Sequence, residues 1–455
     1  MKSNKTLIIV AILLLNVLVV YMVGQNLLGK ASNYEIKLEE ARNLAEQDLC
    51  VRAIDAYNSA LGYEDTLDVR LELLNVYEKA LETGEYSRSN SLYSKVAGIT
   101  EVYPKEPKAY EAACQFLMKY EKYDSCAELL MKADDLYVTS PELQNILKEV
   151  RYKHKVSYTT YSQISSLYDN SYLVEVDGIY NHLDVDTNTM RDGNYSYASS
   201  YSEGYAFVRV GSTESDFRSF VIDKGGVRQC YLDGVTESSG IGKGKKDGQD
   251  YLLIAGKKDG RYQYYDMTGA AVFGDYVFAG RFRNNIAAVQ EAEGQWKLIN
   301  AEGKPIIDKV FEDVILNEFD ECAPKGMIFA KSEGKYRMYN MQGEQVGDFT
   351  CDDAKPFIDT CTAFKSGDLW GFVNANGQVA IEPQFEDAKA FSKGIAGVKR
   401  DGRWSFINES SETVLEGDYE DVGHLFIKGK CFVKMDGRWA VLHMYYNADT
   451  EDEVK

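Results

Sequence analysis

Gly402-Arg403-Trp404-Ser405-Phe406-Ile407-Asn408 is the stretch of sequence from which the fold can be worked out. The dipeptide Asp401-Gly402 favours a tight turn, because these residue types readily adopt the positive φ angles of hairpin turns. Residues 395–399 precede the turn and residues 404–407 follow it, and both runs are typical of short strands. The stretch therefore predicts an antiparallel β-hairpin in which a tryptophan begins the returning strand.

The same pattern recurs along the chain: Gly, one residue, an aromatic, three mostly apolar residues, and then Asn or Asp. The aromatic position falls at residues 180, 219, 262, 296, 336, 370, 404 and 439, so successive copies are 34 to 43 residues apart. The copy at 219 has Ser219 in this place. We predict that the seven aromatics are structural residues at matching places of a repeat: Tyr180, Tyr262, Trp296, Tyr336, Trp370, Trp404 and Trp439.

One copy of this repeat is too small to bury its own apolar face, so neighbouring copies must stack on each other. The repeat region opens around Lys155 with the second half of a copy and closes around Trp439 with the first half. In a closed ring these halves would complete one unit, and closure would remove exposed sheet edges. We therefore predict an all-β domain over residues 152–446, a β-propeller of about eight small blades, with an open β-solenoid as the alternative.

The repeat resembles the WG-repeat (Trp-Gly repeat) family, whose name-giving dipeptide is present as Trp370-Gly371. The resemblance extends over the repeat region, although only this copy keeps Gly after Trp. It implies a repeat architecture and brings no settled activity with it.

Residues 33–151 have helical periodicity. They predict amphipathic helices in pairs, and the last helix has Ser140 at its N-cap position with Pro141 in its first turn. Residues 123–130 are similar to the start of the second helix of a tetratricopeptide repeat. The resemblance implies either a groove that binds peptides or a spacer between the membrane and the next domain, and the sequence leaves both open.

An apolar run from Leu7 to Val23 has Asn16 as its only strongly polar residue and approaches the length of a transmembrane helix. Lys2 and Lys5 precede it, which favours a cytoplasmic N-terminus. We predict that residues 1–32 are a cytoplasmic tail and a retained signal anchor (core 7–23). The chain would then be a single-pass plasma-membrane protein whose bulk is extracytoplasmic, with a cleaved signal peptide as the alternative.

No pattern assembles a catalytic, cofactor-binding or metal site, because GxSxG, HExxH and Walker motifs are absent. The histidines and cysteines do not stand at metal-ligand spacing, and we predict that most cysteines are core residues. Acidic pairs such as Glu386-Asp387 recur at one phase of four copies, which predicts strand entries or turns. Gly240–Lys246 superficially suggests a phosphate loop but departs from its spacing, so we predict a flexible surface loop there.

The formal net charge of -20 argues against nucleic-acid binding, which requires a basic surface. Residues 447–455 include four acidic residues and predict a disordered acidic tail. Taken together, the sequence predicts a bacterial cell-envelope protein that binds or scaffolds a protein partner, without catalysis and without a cofactor. A binder of envelope glycan is one alternative, and a carboxylate-dependent hydrolase is another.

Overall fold

A computed structural model describes residues 30–446 apart from 166, 167, 188, 212, 214, 215 and 425. The described chain forms two compact units: residues 30–153 together with Tyr445 and Tyr446, and residues 154–444. The predicted membrane segment (core 7–23) and the acidic tail 447–455 lie outside the described residues. In the part of the chain that is described, no helix is long and apolar enough to cross a membrane.

The first unit is helical, as its periodicity predicts. Its helices are α1 (residues 30–46), α2 (Cys50–Leu61), α3 (Leu67–Glu82), α4 (Asn90–Ala97), α5 (Ile99–Val102), α6 (Pro107–Lys119), α7 (Tyr123–Asp135) and α8 (Pro141–Val150). The hydroxyls of Thr66, Ser89 and Ser140 each accept a hydrogen bond from a backbone N–H in the first turn of α3, α4 and α8. These side chains fix the helix starts, because they satisfy N–H groups that have no partner within the helix.

The second unit consists of eight antiparallel sheets, called blades I to VIII in chain order. Its first strand, β1 (His154–Tyr161), belongs to the last blade. The strands of blades I to IV, separated by semicolons, are β2 (Gln163–Ile164), β3 (Ser171–Val176), β4 (Ile179–Asp184), β5 (Met190–Tyr195); β6 (Tyr197–Ala198), β7 (Tyr205–Val210), β8 (Arg218–Asp223), β9 (Arg228–Tyr231); β10 (Val235–Lys246), β11 (Gln249–Lys258), β12 (Arg261–Tyr265), β13 (Ala271–Tyr276); β14 (Phe278–Ala279), β15 (Ala287–Ala292), β16 (Gln295–Ile299).

Blades V to VIII continue in the same order, and each begins with a two-residue strand. Their strands are β17 (Asp313–Val314), β18 (Met327–Ser332), β19 (Lys335–Asn340), β20 (Gln345–Cys351); β21 (Asp353–Ala354), β22 (Cys361–Ser366), β23 (Leu369–Asn374), β24 (Val379–Phe385); β25 (Asp387–Ala388), β26 (Ile395–Arg400), β27 (Arg403–Asn408), β28 (Thr413–Tyr419); β29 (Asp421–Val422), β30 (Lys430–Met435), β31 (Arg438–Met444).

The second and third strands of a blade form the hairpin that the sequence predicts. In blade VII, Asp401 and Gly402 have φ angles of 50° and 77°, and Ile395 to Arg400 pair in register with Asn408 to Arg403. Two successive positive φ angles match the twist of a two-residue hairpin turn, and they are easiest for Gly and for Asp or Asn. The local sequence therefore determines both the turn and the strand register.

The ring closes because β1 pairs with β31, so that the sheet of blade VIII has the order β1-β31-β30-β29. The apolar faces of blades VIII and I then pack against each other, with the rings of Tyr172 and Phe432 5.7 Å apart. The second unit is therefore an eight-bladed β-propeller, and the open solenoid is excluded. Two half-units at the ends of the repeat region complete one blade, as their sequences predict.

Candidate functional site

The predicted repeat aromatics occupy matching places: each is the second residue of the third strand of its blade. This holds for Tyr180, Ser219, Tyr262, Trp296, Tyr336, Trp370, Trp404 and Trp439. In blades VI and VII an ammonium group covers the indole ring, with Lys355 4.4 Å above Trp370 and Lys389 4.9 Å above Trp404. The aromatic positions therefore serve packing within the ring, and these two faces are not open to a ligand.

The same two lysines also connect neighbouring blades. Lys355 lies 3.9 Å from Asp387 of blade VII, and Lys389 lies 3.3 Å from Asp421 of blade VIII. Each ammonium therefore bridges its own tryptophan and the first strand of the next blade. Among the described blades, this lysine bridge occurs where a Lys directly follows the first strand. Blades VI and VII meet this condition.

The recurring acidic pairs are turn elements. In each pair the first carboxylate accepts a hydrogen bond from the N–H of the glycine in the hairpin turn of its own blade. The four contacts are Glu312 with Gly334, Asp352 with Gly367, Glu386 with Gly402 and Glu420 with Gly437, at 2.9 to 3.2 Å. The second carboxylate is the first residue of the short first strand. Their repetition has this structural cause.

The Asn or Asp at the end of the third strand closes the next turn. Asn408, for example, accepts hydrogen bonds from the N–H groups of Ser410 and Glu412, both at 3.0 Å. Equivalent bonds are made by Asp223, Asp266, Asn300, Asn340 and Asn374. Blade VIII has His443 in this position, and its fourth strand comes from the opposite end of the chain. With no turn to close, that position needs no Asn or Asp.

The glycine-rich segment 240–246 is not the flexible loop that we expected. It belongs to β10, which pairs with β11 along residues 240–246. A Cβ atom on Gly242 would lie 2.3 Å from the backbone nitrogen of Phe282, and one on Gly244 would lie 2.2 Å from Ala301 Cβ. Alternate glycines therefore allow β10 to pack directly on blade IV. The spacing of the glycines follows from this packing and not from a phosphate.

In the described part of the chain, the histidines and cysteines are spread over the fold and do not form a metal site. His154 begins β1, His182 is buried in blade I, and His424 and His443 lie in blade VIII. All eight cysteines are free thiols and seven of them are buried, which confirms the prediction that most are core residues. No group of three or more His, Cys, Asp or Glu within the described residues is arranged to hold a metal ion.

A cavity of about 580 Å³ lies where the loops after the first strands converge. All eight blades line it, and examples from opposite sides of the ring are Asp169, Glu203, Asp359 and Lys393. Because every blade contributes, the cavity must lie around the ring axis. Its volume falls within the range that small ligands or short peptide segments occupy in proteins. It is the candidate functional site.

Blade V shapes this cavity through a long loop. Residues 315–326 separate its first two strands, and this loop is twice as long as its counterparts 355–360 and 389–394. The copy of the repeat that ends at Tyr336 is six residues longer than its regular neighbours for this reason. The loop places Phe319 and Glu321, both almost fully buried, at the cavity.

Tyr168 connects blade I to the loop of blade V across the ring. Its ring lies 4.6 Å from that of Phe319, its hydroxyl donates to Glu321 Oε1 at 3.1 Å, and the hydroxyl accepts from Arg283 Nη1 at 2.7 Å. Burial raises the pKa of the Tyr168 hydroxyl to about 12, a shift that Glu321 increases and that the guanidinium groups of Arg281 and Arg283 oppose. The hydroxyl therefore stays protonated at physiological pH.

Arg281 lies behind this cluster and is almost completely buried. Its guanidinium carbon is 5.3 Å from the ring centre of Tyr168 and 5.6 Å from that of Phe319. Its Nε donates to the carbonyl of Ser239, and its Nη1 has no hydrogen-bond partner among the described residues. A buried positive charge therefore lies beside Tyr168 and Phe319, which line the cavity, and the Asp320 carboxyl interacts with this charge electrostatically.

Sequence reasoning predicted the repeat and missed the cavity. The sequence did contain a signal for the long loop of blade V. The repeat aromatics at 296 and 336 are 40 residues apart instead of 34, and the extra residues include Phe319. Which blades meet across the ring axis depends on closure and on blade number, which no local pattern encodes.

The sequence profile of the family described as WG containing repeat matches residues 192–213, 370–404 and 404–439. These matches support the WG-repeat assignment of the repeat region. No curated protein matches the chain.

Among solved structures, BamB from Moraxella catarrhalis is similar over 64% of this chain and 100% of its own, with 13% identity and a TM-score of 0.42. The WD40 domain of SCAP from fission yeast is similar over 65% of this chain and 98% of its own, with 9% identity and a TM-score of 0.42. At such scores and identities, neither likeness bears on what this chain binds.

Proposed function

We propose that this chain is a membrane-anchored, extracytoplasmic binding protein without catalysis, and that its propeller holds a protein partner at the central cavity. The observation that supports this most is the cavity itself, because all eight blades line it and one blade has a longer loop that shapes it. A closed ring of stacked blades is a rigid support for such loops.

The roles found for the titratable residues also favour binding over catalysis. The repeated carboxylates of the four acidic pairs hold turns, and the buried Tyr168 hydroxyl has a pKa far from neutrality. The two indole rings of blades VI and VII are covered by lysine side chains, so they offer no stacking platform for a glycan. A protein partner is therefore the better candidate than a glycan.

We propose that the helical unit acts as a spacer and not as a second binding groove. Its helices are joined to each other by polar side chains: Arg42 of α1 contacts Glu72 of α3 at 2.6 Å, and Lys119 of α6 contacts Glu78 of α3 at 2.8 Å. Gln115 of α6 donates to Glu142, at the start of α8, at 2.8 Å. These groups are already engaged within the unit, which leaves fewer of them for a peptide.

Photo-crosslinking in intact cells tests the docking site. We would place p-benzoylphenylalanine at Ile358 or Lys325, which line the cavity, and at Val379 as a control that is 43% exposed on the outer strand β24. We expect the same partner protein to be captured from both cavity positions and not from position 379. Equal capture from all three positions, or capture from the control alone, would contradict the proposal.

The membrane topology is tested separately with alkaline phosphatase, which is active only outside the cytoplasm. Fusions after residue 30 and after residue 153 should both be active if the N-terminus is cytoplasmic and the bulk of the chain is exported. Inactive fusions at both places would contradict the extracytoplasmic location. The crosslinking result does not depend on this outcome.

A further inference from the structure

We infer that the central cavity takes a peptide segment of the partner through a carboxylate, which binds the guanidinium of Arg283. This inference rests on the proposed function and names the chemistry of the partner at that same site. It follows from an inventory of the charged groups that line the cavity and of the contacts they already make.

The carboxylates of the cavity already have partners. Asp169 accepts from Gly204 N–H and pairs with Lys224, Glu203 pairs with Lys243 at 2.9 Å, and Asp359 accepts from the N–H of Lys393 at 3.0 Å. Glu321, 2% exposed, accepts from Tyr168 and from the amide of Asn317, and Glu318 also has a partner. Asp169 and Glu203 are therefore neutralised by lysines, and Asp359 and Glu321 are held in place by hydrogen bonds from neutral groups.

Two cations of the same cavity have no carboxylate partner among the described residues. Arg283 is half-buried, and within the described part of the chain its side chain makes one hydrogen bond, from Nη1 to the hydroxyl of Tyr168. Its Nε and Nη2 groups have no acceptor among the described residues, and neither Arg283 nor Lys325 is ion-paired there. The Nε–H and Nη2–H groups of a guanidinium form a fork that matches the two oxygens of a carboxylate.

The neighbourhood of Arg283 favours a singly charged anion on an apolar chain. Buried Arg281 adds a second positive charge 5.3 Å from the ring centre of Tyr168, which the Asp320 carboxyl offsets in part. The five carboxylates around the cavity would repel a doubly charged phosphate more strongly than a carboxylate. Phe319, Ile358 and Phe426 line the same cavity and can pack against peptide side chains.

Peptide pools provide the test, because the carboxylate could come from a chain end or from an acidic side chain. We would measure retention on the immobilised full-length protein in detergent of three tetrapeptide pools. One has a free C-terminal carboxylate and no acidic residue, one is amidated with Glu fixed at one position, and one is amidated and free of acids. We expect at least one carboxylate pool to be retained about tenfold more than the acid-free pool, and its identity gives the source.

Variants of the protein then assign the contact. We expect Arg283→Gln to reduce retention of that pool about 10- to 100-fold, Arg283→Lys to restore it partly, and Lys325→Gln to reduce it a few-fold. Arg261→Gln is the matched control, because Arg261 lies outside the cavity and pairs with Asp275. Melting temperatures of all variants should lie close to that of the parent protein.

Equal retention of the three pools, or an Arg283→Gln protein that melts and binds like the parent, would overturn the carboxylate assignment. If no peptide pool is retained but crosslinking from positions 325 and 358 continues, the carboxylate assignment is also overturned. The proposed docking site would then stand. Loss of crosslinking from the cavity positions would instead remove the proposed function on which the inference rests.

Discussion

Two blade junctions have the same backbone arrangement but differ in polarity. The junction between blades VI and VII is apolar, and the junction between blades I and II is polar. At the first junction, Phe372 stands two residues after the repeat aromatic Trp370. Its ring lies 5.9 Å from that of Phe385 on the fourth strand and 4.6 Å from that of Phe391 in the next blade. All three phenyl rings are completely or almost completely buried, so this junction is held by apolar packing.

At the second junction the same three places hold His182, Tyr195 and Tyr201, with ring distances of 6.2 and 4.5 Å from His182. His182 is fully buried, and its Nδ1 lies 2.6 Å from a carboxylate oxygen of Asp192 while its Nε2 lies 2.8 Å from the carbonyl of Ser199. The Tyr201 hydroxyl donates to the other carboxylate oxygen of Asp192. This junction is therefore a polar network with every polar ring atom engaged.

The difference teaches that a blade junction needs three rings of suitable shape and does not need them to be apolar. Burying the polar network is tolerated because its hydrogen-bond groups find partners within it. The apolar junction should lose stability gradually as ring volume is removed. The polar junction should instead be sensitive to the loss of any one partner.

Removing one phenyl ring from the apolar junction should have the largest effect. Phe372→Ala leaves a cavity among Phe385 and Phe391, and we expect a loss of about 3–5 kcal/mol in the free energy of unfolding, measured by urea denaturation. Leu369→Ala is the control, since Leu369 is 42% exposed on the same strand. A loss at Phe372 no larger than that at Leu369 would show that the junction is not packed as described.

Removing the carboxylate from the polar junction should cost somewhat less. Asp192→Ala leaves His182 and the Tyr201 hydroxyl without their shared acceptor, and we expect a loss of about 2–4 kcal/mol in the free energy of unfolding. The Tyr201 hydroxyl keeps the carbonyl of Asp223 as a second acceptor. Chemical denaturation followed by circular dichroism measures the loss.

A triple variant that replaces the polar side chains of the junction between blades I and II with apolar ones compares the two junctions most directly. His182→Phe, Asp192→Leu and Tyr201→Phe together remove the polar side chains of the network and leave only the carbonyl of Ser199 without its donor. We expect the free energy of unfolding to stay within about 1 kcal/mol of the parent value. A triple variant as unstable as Asp192→Ala would mean that the network contributes more than shape.

Acid should destabilise the ring through blade VIII. Burial lowers the pKa of His424 to about 3 and that of His443 to about 4, and nearby lysines act in the same direction. Between pH 6.5 and about 4 the unfolded chain therefore binds protons that the folded chain does not bind, so stability falls as pH falls. We expect a loss on the order of 2 kcal/mol from pH 7 to pH 4.5.

The control for this pH dependence is His443→Asn, which restores the side chain found at this place in other blades. It should flatten the decline between pH 6.5 and 4, and His424→Asn should do the same. Melting temperatures across the pH range would measure this. A decline that is unchanged in the double variant would assign acid sensitivity to other groups.

Among the single substitutions, the smallest effect should come from the acidic pairs. Glu386→Ala removes the acceptor of the Gly402 N–H in an exposed turn, and we expect a loss of about 0.5–1 kcal/mol in the free energy of unfolding. Glu416→Ala on the exposed face of β28 should change it by less than about 0.5 kcal/mol. If Glu386→Ala lost a binding or catalytic activity without losing stability, the acidic pairs would have a functional role.

Several features of the fold could be read from residue types because they depend on neighbours in sequence. The Asp-Gly turn at 401–402, the strands around it and the N-cap at Ser140 follow from local backbone preferences. The prediction of a loop at 240–246 was wrong because its glycines are required by close contacts with Phe282 and Ala301, which are distant in sequence. Glycine by itself is compatible both with a loop and with a closely packed strand.

The sequence by itself determined the repeat, its phase and the half-units that close the ring, because periodicity and turn chemistry are local properties. Only the tertiary structure decided which surface became the candidate site. Tyr168 and Glu321 are far apart in the chain and meet because a closed ring of eight blades places blade I opposite blade V. Whether the Nε and Nη2 groups of Arg283 have an acceptor likewise depends on which residues the closed ring brings to the cavity. No single stretch of sequence determines that arrangement.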